Sequence, residues 1–211
     1  MNSKKDILLL LTIIIALCLW TVTFVLRPAN FWLMMSVNTV LLILFTLALG
    51  NPLKHNHPTW KDLIFGLIAA LGLYLIFWLG NLILIFSQKT LHIFSNRQPQ
   101  LQDIYNNSSS LNSILIAFLL VFPIGFGEEL YWRGLVQKYF VRKFNPFYGF
   151  LLTTLIYTAI HLPTGNHILI LAALACGLFW GGIYYKTNNL WIVLFSHMFW
   201  DPFIFVIMPI T

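Results

Sequence analysis

The chain has 211 residues, 59% hydrophobic and only 9% charged, against about 25% charged in a soluble domain. That balance excludes a soluble globular protein. The net charge of +6 sits in short loops beside apolar runs, which points to acidic lipid headgroups and to no nucleic-acid partner.

Several apolar runs approach or exceed the roughly 20 residues that cross hydrocarbon as a helix, so the predicted fold is an all-α polytopic transmembrane bundle. It is one membrane-embedded domain over 1–211, with seven spans predicted at 7–26, 31–49, 63–86, 111–140, 147–161, 168–185 and 190–207. The first span follows Lys4 and Lys5 as a signal peptide would, but its length and the lack of a small-residue cleavage site predict that it is retained. Arg27-Pro28 separates it from the second, and Gly50-Asn51-Pro52 ends the second. The stretch 88–112, with its run from Asn106 to Ser110, reads as a sizeable extramembrane segment lying on the surface. Cys18 and Cys176 stand in apolar runs without CxxC spacing, so no disulfide framework or zinc knuckle is indicated. Alternate loops group Lys4, Lys5, Lys54, Lys61, Lys138, Arg142, Lys143 and Lys186 against Arg27, Lys89 and Arg97. That asymmetry predicts a multi-pass protein of the cell membrane with a cytoplasmic N-terminus and, after seven spans, an external C-terminus.

The fourth predicted span contains Gly127-Glu128-Glu129-Leu130-Tyr131-Trp132-Arg133-Gly134. A carboxylate at bilayer depth loses several kcal/mol unless it is paired, protonated or wetted, so such a cluster is a functional-site candidate by default. Residues four apart share a helical face, which lets Glu129 pair with Arg133. Glu128 lies about 100° round the helix and faces elsewhere. Read alone, the cluster also admits the less favoured reading of a structural salt bridge holding helices together.

Two more polar features interrupt apolar runs: Tyr157 to His161 at the end of the fifth span, and His197 with Asp201, four apart on one face of the seventh. At about 1.5 Å per residue, Glu128 lies roughly 18 Å from one end of its span and His161 roughly 21 Å from the same end of its own. His197 and Asp201 fall about 10 to 17 Å deep. Compatible depths on three spans argue for one shared polar cavity.

Glu128-Glu129-x-x-x-Arg133, Tyr157-x-x-x-His161 and His197-x-x-x-Asp201, in that order, resemble the EExxxR, FxxxH and HxxxN or HxxxD motifs of the CAAX-protease and bacteriocin-processing (CPBP, or Abi) intramembrane protease family. The resemblance covers a core of about 111–208; the first three spans carry no motif. His92 to Asn96 matches HxxxN by chance in a predicted loop. The resemblance implies that Glu128 is the general base for a water held or polarised by His161, that His197 and Asp201 stabilise the oxyanion, and that Glu129 and Arg133 support the site. Amide hydrolysis independently needs an activated nucleophile, an oxyanion stabiliser and a proton donor.

This chain departs from the family pattern at Tyr157, whose added hydroxyl needs a partner, and at Asp201, which donates to an oxyanion only as a neutral acid. Glu128, His161, His197 and Asp201 are also an acceptable ligand set for zinc or another divalent metal. HExxH is absent, no cofactor is favoured, and the metal-free mechanism is slightly preferred. The expected partners are the lipid bilayer and a peptide or membrane-protein substrate: a peptide pheromone, a bacteriocin leader or a membrane regulator, with a prenylated CAAX protein ranked last. A non-catalytic bacteriocin immunity or membrane scaffold protein with the same bundle is the alternative. A small transporter ranks below it, for want of repeat symmetry.

Overall fold

Within hydrocarbon every backbone N–H and C=O must be satisfied inside its own segment, which leaves a chain this apolar with helices. The computed structural model describes residues 3–54, 57–106 and 111–210, and no strand occurs among them. Helix α1 (Ser3–Thr21) runs on through a π-helical turn, Val22–Leu26; α2 is Phe31–Gly50 and α3 is Trp60–Leu91. Helix α4 (Arg97–Tyr105) precedes three short helices, α5 (Ser113–Leu119), α6 (Phe126–Tyr131) and α7 (Lys138–Lys143), which follow one another through the π-helical turns Leu120–Gly125 and Trp132–Gln137. Then come α8 (Pro146–Ala159), α9 (His167–Thr187) and α10 (Leu190–Pro202), the last extended by a π-helical turn, Phe203–Ile207.

Asparagines punctuate this order for a local reason. Asn30, Asn112, Asn145, Asn166 and Asn189 cap α2, α5, α8, α9 and α10, each side chain accepting from a free backbone N–H of the first turn. Thr59 and Asp62 close a reciprocal capping box on α3. Ahead of α6 the chain leaves the helical region at Phe122 (φ −147°, ψ 126°), the residue before Pro123. A proline disfavours helical geometry in its predecessor and removes a donor, so α6 starts afresh at its own angle.

Among the described residues, six helical stretches are long and apolar enough to cross a membrane: Lys4–Leu26, Phe31–Gly50, Trp60–Leu91, Ser113–Lys143, His167–Thr187 and Leu190–Ile207. The predicted span at 147–161 corresponds to α8, whose 14 residues rise only about 21 Å against roughly 30 Å of hydrocarbon. It nonetheless joins the two ends of the bundle. One end is marked by the Asp6–Lys143 ion pair (3.0 Å) and by Asn189 donating to Asp62 (2.7 Å). The other is marked by Arg27 paired with Asp103 and by Asn166 donating to the Gln100 carbonyl (2.8 Å). The two predicted groups of lysines and arginines fall at these opposite ends.

The described part of the stretch 88–112 is largely helical. Its first residues extend α3 to Leu91, and α4 docks across the bundle end, with Arg97 buried and bonded to the Asn81 side-chain oxygen. Residues 107–110 lie outside the described part. Large apolar side chains such as Ile7, Leu10, Ile14, Ile68 and Leu75 are exposed on α1 and α3, as lipid-facing surfaces require, while Trp20, Trp132, Trp180 and Tyr131 fill the interior.

Candidate active site

Helix α6 carries both glutamates into the centre because two glycines let it approach its neighbours. A Cβ on Gly125 would lie 2.9 Å from the Leu120 carbonyl and 3.2 Å from the Met198 backbone nitrogen, and one on Gly127 would press on Thr39 and Ile43 of α2. The close contact with α10 brings Glu129 against His197.

Glu129 is fully buried and accepts from two cationic or ring donors at once. Arg133 Nη1 donates to its Oε1 at 2.8 Å, as the i, i+4 spacing predicts, and His197 Nδ1 lies 3.0 Å from the same oxygen. Arg133 is 1% exposed; its guanidinium packs over the rings of Tyr157 (5.2 Å) and Trp180 (5.9 Å) and approaches the carbonyls of Cys176 and Gly177. The other face of His197 stacks on Trp180 with ring centres 3.8 Å apart, and Trp180 is held in turn by its Nε1 donating to Ser196. His197 Nε2 faces Asp201 Oδ1 at 3.3 Å. The four side chains thus form one line of alternating charge capacity, Arg133, Glu129, His197 and Asp201.

Glu128 belongs to a second pair. Its Oε2 accepts from the Tyr157 hydroxyl at 3.1 Å, which supplies the partner that the extra hydroxyl needs. One turn on, His161 Nδ1 lies 2.9 Å from the Tyr157 carbonyl. A carbonyl only accepts, so Nδ1 carries the proton and Nε2 keeps its lone pair. Phe24 and Tyr157 meet the imidazole edge to face, with ring centres 5.8 and 5.3 Å away.

Glu128, Tyr157, His161, His197 and Asp201 all line one cavity of about 450 Å³. Glu129 and Arg133 stand behind its wall. Phe24 of the α1 extension, Trp32 and Met35 of α2, and Ile76 and Phe77 of α3 also line it, so the motif-free first three helices build much of the chamber. Cys176 and Trp200 are further lining residues that no motif marks. His92 caps the end of α3 outside this cavity, and its HxxxN spacing has no part in the site.

Residues 110–203 match the family model described as type II CAAX prenyl endopeptidase Rce1-like. That segment is similar to the family's members. The match covers just under half of the chain, contains all three motifs and agrees with the CPBP resemblance read from them. The family it describes is one of endopeptidases. Neither a curated protein nor a solved structure matches the chain.

Among the described residues, no three His, Cys, Asp or Glu side chains are grouped to hold a metal ion. Both ring nitrogens of His197 face carboxylates, which leaves it no lone pair directed at the cavity. Glu128, His161, His197 and Asp201 share a chamber without forming a coordination sphere.

Proposed function

We propose that the chain is an intramembrane endopeptidase that hydrolyses a peptide bond of a membrane-associated peptide or protein with a water activated by Glu128 and His161. The observation that carries this reading is the pairing of those two groups on Tyr157. One residue's hydroxyl holds Glu128, and its carbonyl turns the His161 Nε2 lone pair free. A water between them gives one hydrogen to each acceptor, which directs an oxygen lone pair outward as a nucleophile.

In the reaction, the water oxygen bonds to the scissile carbonyl carbon while Glu128 takes its proton, and the carbonyl oxygen becomes an oxyanion. Asp201 supplies the donor to that oxyanion as a neutral acid, while His197, whose ring nitrogens face Glu129 and Asp201, orients it. Glu128 then returns the proton to the amide nitrogen, the C–N bond breaks and a free amine leaves. Glu129 and Arg133 fix His197, because a histidine gripped at Nδ1 and stacked on Trp180 has one orientation left. No metal is needed for these steps. The uneven distribution of Lys and Arg between the two ends supports a cytoplasmic N-terminus in the cell membrane.

The test compares the peptides of membranes from cells making the wild-type chain, Glu128→Gln, or neither. The expected result is a set of cleavage products present only with wild type. Equal product sets with wild type and Glu128→Gln, at equal protein levels, would instead favour the non-catalytic immunity or scaffold reading.

A further inference from the structure

Among the described residues that line the cavity, Arg27 is the sole lysine or arginine. It closes the α1 extension in a left-handed conformation (φ 47°), and its Nε donates to the Phe24 carbonyl at 2.9 Å. Phe24 is the residue whose ring rests on His161, so the guanidinium is anchored to the wall of the catalytic chamber. The outer fork of Arg27 is turned to Asp103 of α4, Nη1 donating to Oδ1 at 3.1 Å and Nη2 to Oδ2 at 3.0 Å. A two-point fork on a carboxylate is the geometry for which guanidinium is best suited.

This pair differs from the buried one behind the site. Its side chains are 37% and 49% exposed, against 1% and 0% for Arg133 and Glu129. Exposed pairs hold weakly, so Asp103 is an exchangeable occupant of the fork. An incoming carboxylate takes over both hydrogen bonds of the fork, while the half-exposed Asp103 turns to water. Deeper in the cavity the acidic Glu128 and Asp201 oppose a second anion, while most of the wall between is apolar.

We propose that Arg27 is the docking point for the C-terminal carboxylate of the peptide substrate, with Asp103 as the anion it displaces. The proposal takes its peptide from the endopeptidase reading and adds the substrate's direction: the C-terminus sits at the α4 end, with the preceding apolar residues running inward to Glu128. Arg27 and Glu128 line the same chamber of about 450 Å³, so one apolar segment can reach both. An acidic side chain near the end of a peptide offers the same chemistry, and the probes must separate the two.

The test measures binding, which keeps it independent of turnover. Full-length protein in phosphatidylcholine nanodiscs, in a Glu128→Gln background that leaves the probe uncut, is titrated with three fluorescein-labelled apolar decapeptides. One has a free C-terminus, one a C-terminal amide, and one a C-terminal amide with glutamate as its last residue. The expected result is binding of the free acid about tenfold tighter than of either amide, the worth of a charge-assisted contact. Arg27→Gln should erase that preference, Arg27→Lys should keep part of it, and Asp103→Asn should tighten the free acid alone. Equal binding of free acid and plain amide, or a preference that survives Arg27→Gln, overturns the proposal. Tight binding of the glutamate amide assigns the fork to an acidic side chain and overturns the C-terminal assignment. The same preference, found for a chain whose wild-type form with Glu128 intact cleaves none of the probes and no membrane peptide, would uphold the subsite and sink the protease reading.

Discussion

The hydroxyl of Tyr157 donates to Oε2 of Glu128 across 3.1 Å, from a helix that stops two residues before His161. Tyr157→Phe keeps the ring that packs on Trp132 and Arg133 and removes only that donor. A hydrogen bond to a charged group is worth about 1.5 to 3 kcal/mol, so kcat should fall by roughly tenfold or more while KM and the melting temperature stay near wild type. The resembled family usually carries phenylalanine here, so activity should not vanish. Steady-state kinetics on a reporter peptide decide it; an unchanged kcat would remove Tyr157 from the set of positioning residues.

Glu128→Gln should fold normally and lose activity by about 10² to 10⁴, because an amide of the same shape takes no proton from water. Residual turnover above about a tenth of wild type would end the general-base role.

Arg133→Ala should act through stability. It strands a fully buried Glu129 and leaves the Tyr157 and Trp180 faces without their cation. Removing one member of a buried pair costs about 3 to 5 kcal/mol, so the detergent-solubilised variant should melt well below wild type. A wild-type melting curve with only activity lost would show that the pair is not holding α6 to α10.

Asp201→Asn separates two chemistries. The asparagine oxygen can still accept from His197 Nε2, and its amide offers a donor to the oxyanion, so much of the activity should remain with and without a strong chelator. Stoichiometric zinc in wild type, lost with activity in the variant, would make the carboxylate a metal ligand and overturn the metal-free mechanism.

Gly125→Ala tests the seam that brings the glutamates to His197. The new methyl would press on backbone atoms of Leu120 and Met198, which cannot rotate away as a flexible side chain would. Overpacking of this kind costs about 1 to 3 kcal/mol, and activity should fall with the melting temperature.

Both i, i+4 pairs could be read from the sequence because helical spacing alone places Arg133 near Glu129 and Asp201 near His197. The meeting of Glu129 with His197 was not legible, since it depends on how α6 restarts after Phe122 and on the glycine contact with α10. The cavity walls were hidden for a different reason. In a bilayer the outward neighbour of a leucine is another hydrocarbon, so Trp32 or Phe77 facing a chamber has the same composition signal as one facing lipid. A water-soluble bundle would have betrayed that face by its polar opposite. The polarity of 88–112 misled in the reverse sense: Arg97 is a buried partner of Asn81 there, not a solvated charge.

Hydrolysis consumes one water for every bond cut, and hydrocarbon holds almost none. Helix α8 stops at Ala159 after 14 residues, two residues short of His161, and the chain then turns through Leu162–Thr164 and Gly165 before α9 begins. Where a full-length helix would have sealed this side with another two turns, the polypeptide spends those residues on a bend. The histidine stands on that bend and off the helix, buried and lining a chamber whose rim carries Arg27 and Asp103. On the endopeptidase reading, the second reactant enters a chamber whose charged rim, Arg27 with Asp103, lies at the same end of the bundle as that bend.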